Sequence, residues 1–261
     1  MENHHFVMAM NARSGSTWLV TLLRGQSGVA AYEELFYPRP VQPRYSWLAE
    51  GGPERFIIRG PQLRGARPMR IWRYLNEVET HRADMPVSGF KVNSAQLFGA
   101  PEMLPILAAR RYRLVVLVRD NVFESSISQI VMHKNNVAHS SEPIAAGASY
   151  RVDPQEVVAR IRRRRRWIAA IRAVRRLWPW PSVEVRYEDL VANQSAALAS
   201  VLDCIGAAAP PMPVESPLKR RIDLPYDEVI TNFSEVAEAM RSAGLGALVP
   251  TAGSNATGGR S

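Results

Sequence analysis

The sequence has little cysteine and no long apolar stretch. Its 261 residues include one cysteine, Cys204, which cannot form an internal disulfide and so predicts a reducing compartment. No window approaches the roughly 18 consecutive apolar residues that a membrane span needs, because even the apolar run Leu114–Val118 is followed at once by Arg119. The opening residues Met1–Phe6 lack the basic and apolar regions of a secretory signal. These absences predict a cytoplasmic protein with no membrane span.

Two signatures of enzyme chemistry are also missing. The sequence has no cluster of histidine and cysteine at the spacing of metal ligands, so no metal is expected. A nucleoside-triphosphate P-loop needs the pattern Gly-x-x-x-x-Gly-Lys-Ser/Thr, whereas the glycine-containing segment Asn11–Trp18 has neither the lysine nor the first glycine. An ordinary ATPase or GTPase is therefore not expected.

Positive charge is in excess, and most of it is arginine. Lysine and arginine number 33 against 24 acidic residues, for a net charge of +9. Such a balance favours anionic partners: nucleic acid, a membrane surface or a phosphorylated small molecule. The densest arginine run, Arg160–Arg166, lies in a segment whose apolar residues recur at helical spacing. We interpret this run as the solvated face of a helix that packs on the core, with binding of nucleic acid or a partner as the alternative.

The chain alternates between strand-like and helix-like segments. Its length of 261 residues fits one large globular domain, which we place at residues 1–250, with a small, polar, disordered tail at 251–261. The predicted strands are Phe6–Met10, Val87–Val92, Arg113–Val118 and Val183–Tyr187. The predicted helices are Thr17–Arg24, one begun by Pro68, Pro101–Arg110, Val122–His133 and Gln194–Ile205. This alternation predicts an α/β fold of the P-loop-like, three-layer kind, with a central, mostly parallel sheet flanked by helices.

Three segments between these elements lack periodicity, and we interpret them as loops or lids. They are Tyr37–Arg67, Asn136–Asp153 and Ala207–Pro217. In parallel sheets, ligands lie at the carboxyl ends of the strands. The turns that follow the predicted strands are therefore the places to look for a site.

The segment after the first predicted strand has the composition of an anion site. It places one cation, one glycine and three hydroxyl groups at a strand-to-helix turn: Arg13, Gly15, Ser14, Ser16 and Thr17. Backbone N–H groups at a helix N-terminus and the helix dipole attract anions, and glycine lets the backbone approach them closely. A phosphate or sulfonate site is therefore expected here. The alternative is a helix N-cap in which Ser14 or Ser16 only satisfies backbone donors.

The run Arg13–Leu19, Arg-Ser-Gly-Ser-Thr-Trp-Leu, resembles the 5′-phosphosulfate loop of sulfotransferases that use 3′-phosphoadenosine-5′-phosphosulfate. Arginine in this loop is typical of the bacterial branch that includes the trehalose sulfotransferases. The resemblance implies transfer of a sulfuryl group from this nucleotide to a hydroxyl of a small-molecule, carbohydrate or lipid acceptor. It also implies that Arg13 acts in catalysis, and that Arg13 and Ser14–Thr17 bind the donor.

A second stretch, Tyr32–Phe36, resembles the element that supplies the catalytic base in the bacterial branch. A carboxylate within hydrogen-bond reach can remove the proton of an acceptor hydroxyl. The resemblance implies that Glu34 is this base, with Glu33 as the alternative.

The central strand departs from the cytosolic animal enzymes of the family. Gly89–Asn93 resembles their strand that ends in Lys-x-His, whose histidine is the base, but Asn93 stands at that place. An asparagine side chain cannot take up a proton, so the role of base falls to Glu34. Lys91 is either a second cation near the acceptor or the sulfonate, or a lysine that merely ends a strand.

A third stretch, Leu114–Ser128, resembles the 3′-phosphate motif of the family. The resemblance implies that Arg119 and Ser128 hold the ribose phosphate, a task that suits the planar fork of arginine. The spacing between these two residues is one longer than in the cytosolic animal enzymes. Ser125 and Ser126 therefore remain alternatives to Ser128.

Later segments also resemble this family. Val183–Leu190 is similar to its late strand ending in Tyr-Glu-Asp-Leu, and we interpret it as a fold marker whose acids cap a helix or pair with arginines. Leu218–Arg221 and Ile230–Phe233 are similar to the C-terminal region, where basic residues can close over the nucleotide. His133 and His139 are not expected to be catalytic.

The acceptor side and the partners are the least defined. Six aromatic residues are candidates for an apolar or sugar-stacking wall, with the core as their alternative place: Phe36, Tyr37, Tyr45, Trp47, Phe56 and Trp72. The loop Tyr37–Arg67 could pack on a second subunit to form a homodimer. No specific nucleic acid is expected, because no aromatic residues interleave with the arginine run to stack bases. The alternative functions are an ATP-dependent kinase, a basic nucleic-acid-binding protein and a relative that binds the nucleotide without catalysis.

Overall fold

The computed structural model describes residues 3–37, 53, 56–57, 67–135, 149–207 and 226–250. The chain divides into two compact units. The first contains Met1–Val118 and Ala170–Glu215, and the second contains Arg119–Ala169 and Ser216–Ser261. The assignment of residues 1–250 to a single domain stays a prediction, and the tail 251–261 lies outside the described residues.

The first unit is built on a parallel sheet. Its strands are β1 His4–Met10, β2 Val29–Glu34, β3 Phe36–Tyr37, β4 Phe56–Ile57, β5 Val87–Asn93, β6 Arg113–Val118 and β7 Ser182–Arg186. Five of them form one sheet in the order β2-β5-β1-β6-β7, in which every neighbouring pair is parallel. The short strands β3 and β4 form a separate parallel pair.

Helices follow most of these strands. In chain order they are α1 Ser16–Arg24, α2 Arg67–His81, α3 Ser94–Gly99, α4 Met103–Ala109, α5 Val122–Asn135, α6 Pro154–Arg176, α7 Tyr187–Ala192, α8 Gln194–Ile205, α9 Tyr226–Val229 and α10 Phe233–Ser242. A turn of 3₁₀-helix covers Gly246–Leu248. Helix α6 begins in the second unit and ends in the first.

Helices cover both faces of the five-stranded sheet. Met8 of β1 belongs to a buried apolar cluster with residues of α1 and α8. Lys91 of β5 pairs with Met8, so the adjacent Phe90 points to the opposite face. There Phe90 contacts Phe36, with ring centroids 5.5 Å apart, and Phe36 contacts Tyr74 of α2 at 5.3 Å. This arrangement confirms the predicted α/β fold with a parallel sheet between helices.

Most predicted elements are present, and two differences have a physical cause. Strand Arg113–Val118 and helix Gln194–Ile205 have the predicted bounds. The sequence does not predict β2, because alanine and glutamate have low strand propensity; its pairing with β5 makes it a strand. Strand β4 lies in Tyr37–Arg67, a segment predicted to lack regular structure. The other predicted loops, Asn136–Asp153 and Ala207–Pro217, lie largely outside the described residues.

The end of β1 lies where the chain changes direction across the sheet. From β1 the chain goes to β2 and β5 on one side, and then to β6 and β7 on the other. In open parallel sheets, ligands bind outside the carboxyl ends of the strands at such a switch point. The segment that leaves β1 there is Asn11–Thr17, which we call the anion loop.

The second unit is held by a buried amide and an aromatic cluster. The side chain of Asn232 donates to the Val152 carbonyl at 2.9 Å and accepts from the Val152 N–H at 3.0 Å. Phe123 of α5 packs edge-on against Tyr226 and Phe233, with ring centroids 5.1 and 6.3 Å apart. The stretch around Asn232 therefore has a structural role in this unit.

The arginine run of α6 is not uniformly exposed. Arg164 is 6% exposed, and it donates to the Ser125 carbonyl at 3.1 Å and to Gln129 Oε1 at 2.8 Å. Its neighbours Arg163 and Arg165 are exposed. The prediction of a solvated arginine face is therefore correct for these neighbours and wrong for Arg164, whose guanidinium finds acceptors on α5.

Candidate active site

The anion loop has a backbone that leaves the start of α1 uncapped. Arg13 has φ +66° and Gly15 has φ +84°. Residues other than glycine rarely adopt this left-handed backbone region. No side-chain hydrogen bond caps α1, and the Ser14 hydroxyl donates instead to the Asn11 carbonyl at 2.8 Å. The alternative in which Ser14 or Ser16 caps the helix is therefore wrong. The first-turn N–H groups of α1 have no side-chain acceptor among the described residues.

Gly15 is required by its surroundings as well as by its backbone. A Cβ at this position would lie 2.5 Å from Cδ2 of Tyr187, so any other side chain would force the ring to move. Tyr187 also packs edge-on against Trp18 of α1, with ring centroids 6.0 Å apart. The segment Val183–Leu190, interpreted from sequence as a fold marker, thus packs directly on the anion loop.

Two amide side chains hold the carboxylate of Glu34 at the end of β2. Asn93 Nδ2 donates to Glu34 Oε2, and Gln96 Nε2 donates to the same oxygen at 2.7 Å. The two residues also bind each other, because the Gln96 N–H donates to Asn93 Oδ1 at 3.0 Å and the Asn93 N–H donates to Gln96 Oε1 at 2.9 Å. This capping box at the start of α3 fixes both side chains. We call Asn93 and Gln96 the amide clamp.

The amide clamp lies next to the anion loop. Asn93 pairs with Met10, the last residue of β1, and Ser94 Oγ donates to Asn11 Oδ1 at 2.8 Å. The predicted base and the predicted anion site therefore share one edge of the sheet. Sequence reasoning missed Gln96. The signal that could have found it is the Asn-x-x-Gln pattern of a capping box directly after a strand.

Glu33 and Glu34 have different environments because of a β-bulge. Tyr32 pairs with Phe90 and Glu34 with Lys91, so Glu33 is the extra residue between them. The side chains of Glu33 and Lys91 form an ion pair, and each is 3% exposed. Glu34 is only half-buried. A base must reach its substrate, so the burial and pairing of Glu33 favour Glu34.

Lys91 links this buried ion pair to the anion loop. Its Nζ donates to Thr17 Oγ1 in the first turn of α1 at 3.1 Å. Of the two roles left open for Lys91, a cation near the expected anion site is the one that this contact favours. The buried Glu33 carboxylate balances its charge.

Arg119 directly follows β6 and lies in the second unit. Its Nη2 is 2.6 Å from Glu124 Oε1, and the two side chains are 10% and 4% exposed. Ser125 and Ser126 are buried, and their hydroxyls both donate to the Val122 carbonyl, at 3.2 and 2.7 Å. Ser128 is half-buried. Accessibility therefore favours Ser128 over the two other serines as a phosphate ligand.

No protein-family model and no curated protein matches this sequence. Among solved structures, the chain is similar to a sulfotransferase from Alicyclobacillus acidocaldarius, with 14% identity over 95% of this chain and 96% of that chain and a TM-score of 0.46. It is also similar to the sulfotransferase domain from the curacin biosynthetic pathway, with 16% identity over 84% and 77% of the two chains and a TM-score of 0.47. At these values the likenesses assign no activity to this chain.

The aromatic candidates for an acceptor wall divide between the core and the surface. Phe36 is fully buried, and Phe56 lies against it with ring centroids 5.7 Å apart. Trp72 is 39% exposed, but the guanidinium of Arg110 lies over its ring, 4.7 Å from the centroid. Phe36 therefore cannot line a pocket. The side chain of Tyr37 lies outside the described residues, as do Tyr45 and Trp47.

Other residues singled out from the sequence lie outside the described part of the structure. These are His139, Leu218–Arg221 and the side chain of His133.

The single cysteine, Cys204, is buried, and burial raises the pKa of its thiol to about 11. At neutral pH it is a neutral thiol and a poor nucleophile.

Within the described ranges, no group of three or more histidine, cysteine, aspartate and glutamate residues could hold a metal ion. Among the helices of those ranges, none has both the length and the apolar character that a bilayer crossing demands.

Proposed function

We propose that this protein is a sulfotransferase, which moves the sulfuryl group of 3′-phosphoadenosine-5′-phosphosulfate to a hydroxyl of a small-molecule, carbohydrate or lipid acceptor. The observation that carries the proposal is the amide-held carboxylate of Glu34 beside the uncapped anion loop with its Arg13. An anion site alone would fit many phosphate-binding proteins. A carboxylate held next to it adds the base that transfer to a hydroxyl needs.

In the proposed reaction, Glu34 removes the proton of the acceptor hydroxyl while the oxygen of that hydroxyl forms a bond to sulfur. The bond between sulfur and the bridging oxygen of the donor breaks, and 3′,5′-phosphoadenosine leaves with the electron pair. Negative charge grows on the bridging oxygen, where the guanidinium of Arg13 and the N–H groups of Ser14–Thr17 stabilise it. The proton ends on Glu34 and the charge ends on the leaving phosphate.

Lys91 positions one further donor for the sulfonate. Its ammonium donates to Thr17 Oγ1 at 3.1 Å, so the hydroxyl oxygen of Thr17 serves as an acceptor on that side. The O–H of Thr17 can then donate towards the anion. Glu33 keeps Lys91 in place through their buried ion pair.

Arg119 and Ser128 are proposed to bind the 3′-phosphate of the donor. The side chain of Arg119 is largely buried and already oriented by Glu124, which reduces the entropy lost when it binds a phosphate. The phosphate shares Arg119 with Glu124, because an arginine fork has five N–H donors with which to serve both.

The proposal is tested by donor binding and by product mass. Isothermal titration is expected to show tighter binding of 3′,5′-phosphoadenosine than of ATP, because ATP lacks the 3′-phosphate. Incubation with the sulfated donor and a panel of hydroxylated acceptors is expected to yield a product heavier by one sulfuryl group. Tighter binding of ATP, with phosphorylated rather than sulfated products, would favour the kinase alternative instead.

A pair of serine variants provides the control for donor binding. Ser128→Ala should weaken binding of 3′,5′-phosphoadenosine by about 10-fold, the effect of losing one hydrogen bond to a charged group. Ser126→Ala removes a hydroxyl on the same helix that is fully buried, so it should leave binding unchanged. Equal affinities of the two variants would remove Ser128 from the site.

The amide clamp gives the proposal a second, independent readout. Gln96→Met keeps the side-chain volume but removes the N–H that donates to Glu34 Oε2. We expect kcat to fall about 10-fold. The acidic limb of the pH–rate profile should move to higher pH, because hydrogen bonds to a carboxylate favour its charged form.

A helix-cap variant separates this effect from loss of stability. Asn193 caps α8 by accepting from the Ala196 N–H at 3.0 Å, and Asn193→Ala removes a cap without touching Glu34. The control should lower the melting temperature and leave the pH profile in place. If Gln96→Met also keeps the wild-type pH profile, the clamp acts only on stability.

A further inference from the structure

A second concentration of charge lies at the edge strand β7. The end of α6, strand β7 and helix α7 line an open cavity of about 410 Å³. Its lining consists of four arginines and two acids: Arg172, Arg175, Arg176, Arg186, Glu184 and Asp189. None of these lining residues belongs to the anion loop, although Tyr187, which follows Arg186 in the chain, packs on Gly15 of that loop. We call it the arginine cavity.

Each acid of the arginine cavity already accepts two hydrogen bonds from one arginine. Arg172 donates through Nε to Glu184 Oε2 at 3.0 Å and through Nη2 to Glu184 Oε1 at 2.6 Å. Arg186 donates to Asp189 through Nε at 3.0 Å and through Nη2 at 2.9 Å. Both are two-point pairs of the kind that arginine and carboxylate groups prefer. The acids therefore balance these two arginines.

Arg175 and Arg176 carry the remaining positive charge. The Nε of Arg175 is buried and has no hydrogen-bond acceptor among the described residues, and its distance to Glu184 Oε2 is 3.9 Å. Arg176 is exposed and forms no ion pair among those residues. The dipole of α6 favours cations in its last turn but does not satisfy the Arg175 donor. A buried donor without an acceptor points to a missing partner.

The size and chemistry of the cavity indicate what that partner is. A volume of about 410 Å³ lies in the range of small-molecule sites and exceeds what one phosphate or sulfate would fill. Every lining residue is charged, so the cavity offers nothing to an apolar ligand. Arginine forks match phosphate oxygens.

We propose that the arginine cavity binds a phosphorylated small molecule that carries a diphosphate group. The two phosphates would take up the donors of Arg175 and Arg176 and neutralise the excess charge. This site does not depend on the proposed sulfuryl transfer, because none of its residues belongs to the anion loop or the amide clamp. The diphosphate can be inorganic or part of a nucleotide, and the two sources share this chemistry.

The test uses the full chain with Arg13→Ala, so that the anion loop contributes little to binding. Pyrophosphate and ADP are titrated by calorimetry at fixed salt. We expect saturable pyrophosphate binding that the double change Arg175→Gln and Arg176→Gln weakens at least 10-fold. The matched control is Arg163→Gln with Arg166→Gln, which removes the same charge from exposed positions of the same helix and should leave binding unchanged.

The outcomes separate the specific site from general attraction. Tighter binding of ADP than of pyrophosphate, lost in the cavity variant alone, supports the site and identifies a nucleotide as its ligand. Equal binding of the two probes, again lost in the cavity variant alone, supports a site for the diphosphate itself. Equal weakening in both double variants overturns the proposal, because net charge then explains the binding. Binding of single-stranded nucleic acid without saturable pyrophosphate binding overturns it as well.

Discussion

Replacing Arg13 with alanine is expected to slow sulfuryl transfer by about 100- to 1,000-fold, the usual effect of losing one preorganised charge contact in a transition state. The residue lies in the loop at the switch point of the sheet, ahead of the uncapped N-terminus of α1. In the proposed reaction, its guanidinium meets the bridging oxygen of the donor when the bond to sulfur breaks. Because charge grows on that oxygen only during reaction, kcat should fall more than donor affinity. The measurement is single-turnover kinetics with saturating donor.

Two further changes at Arg13 separate its charge from its backbone. The residue has φ +66°, so Arg13→Gly relieves backbone strain while it removes the charge. This variant should be no less stable than the wild type. Its rate should be as low as that of Arg13→Ala. Arg13→Lys keeps the charge but loses the planar fork, so its rate should fall between those of the wild type and Arg13→Ala. Turnover near the wild-type rate in Arg13→Ala, from folded protein, would exclude Arg13 from the mechanism.

The sequence predicts the central strands and the turn after β1 well, because both depend on local signals. The apolar run Leu114–Val118 in β6 and the glycine-containing turn Asn11–Trp18 are visible without knowledge of their neighbours. Strand β2 is different, since its residues favour a strand only through pairing with β5. A pattern-based reading of the chain therefore finds the central strands and misses the edge strand that carries Glu34.

The choice between Glu33 and Glu34 shows the same limit within the site. The two residues are adjacent and chemically identical, so no sequence pattern separates them. The β-bulge at Glu33 turns one carboxylate to Lys91 and the other to the amide clamp. This division depends on the register of β2 against β5, which is a tertiary property.

Asn93 illustrates how a departure from a family pattern can be informative. Its residue type excludes it as a base, which shifts that role to Glu34. In the structure the same residue donates to Glu34 and caps α3. Asn93 is thus placed to hold the carboxylate that we propose as the base. The sequence alone excludes Asn93 as the base, whereas its hydrogen bond to Glu34 is visible only in the structure.

Replacing Glu34 with glutamine is expected to lower kcat by about 100- to 10,000-fold, the range that loss of a general base produces. Glutamine keeps the size of the side chain but cannot take the proton from the acceptor hydroxyl. The amides of the clamp would then face the amide of the new glutamine instead of a carboxylate. The main structural cost is that one N–H of this glutamine is poorly placed. Binding of 3′,5′-phosphoadenosine should stay close to that of the wild type, because the role proposed for Glu34 is towards the acceptor and not the nucleotide.

Glu33→Gln is the matched control, since it makes the same chemical change one residue earlier. It breaks the ion pair between two side chains that are each 3% exposed and leaves the charge of Lys91 buried without its carboxylate. Breaking such a pair costs about 3–5 kcal/mol of unfolding free energy, so this variant should lose stability in a denaturant melt. Glu34→Gln should lose activity at nearly wild-type stability. If Glu34→Gln turns over normally while folded Glu33→Gln is inactive, the base is Glu33 and the assignment of Glu34 is wrong.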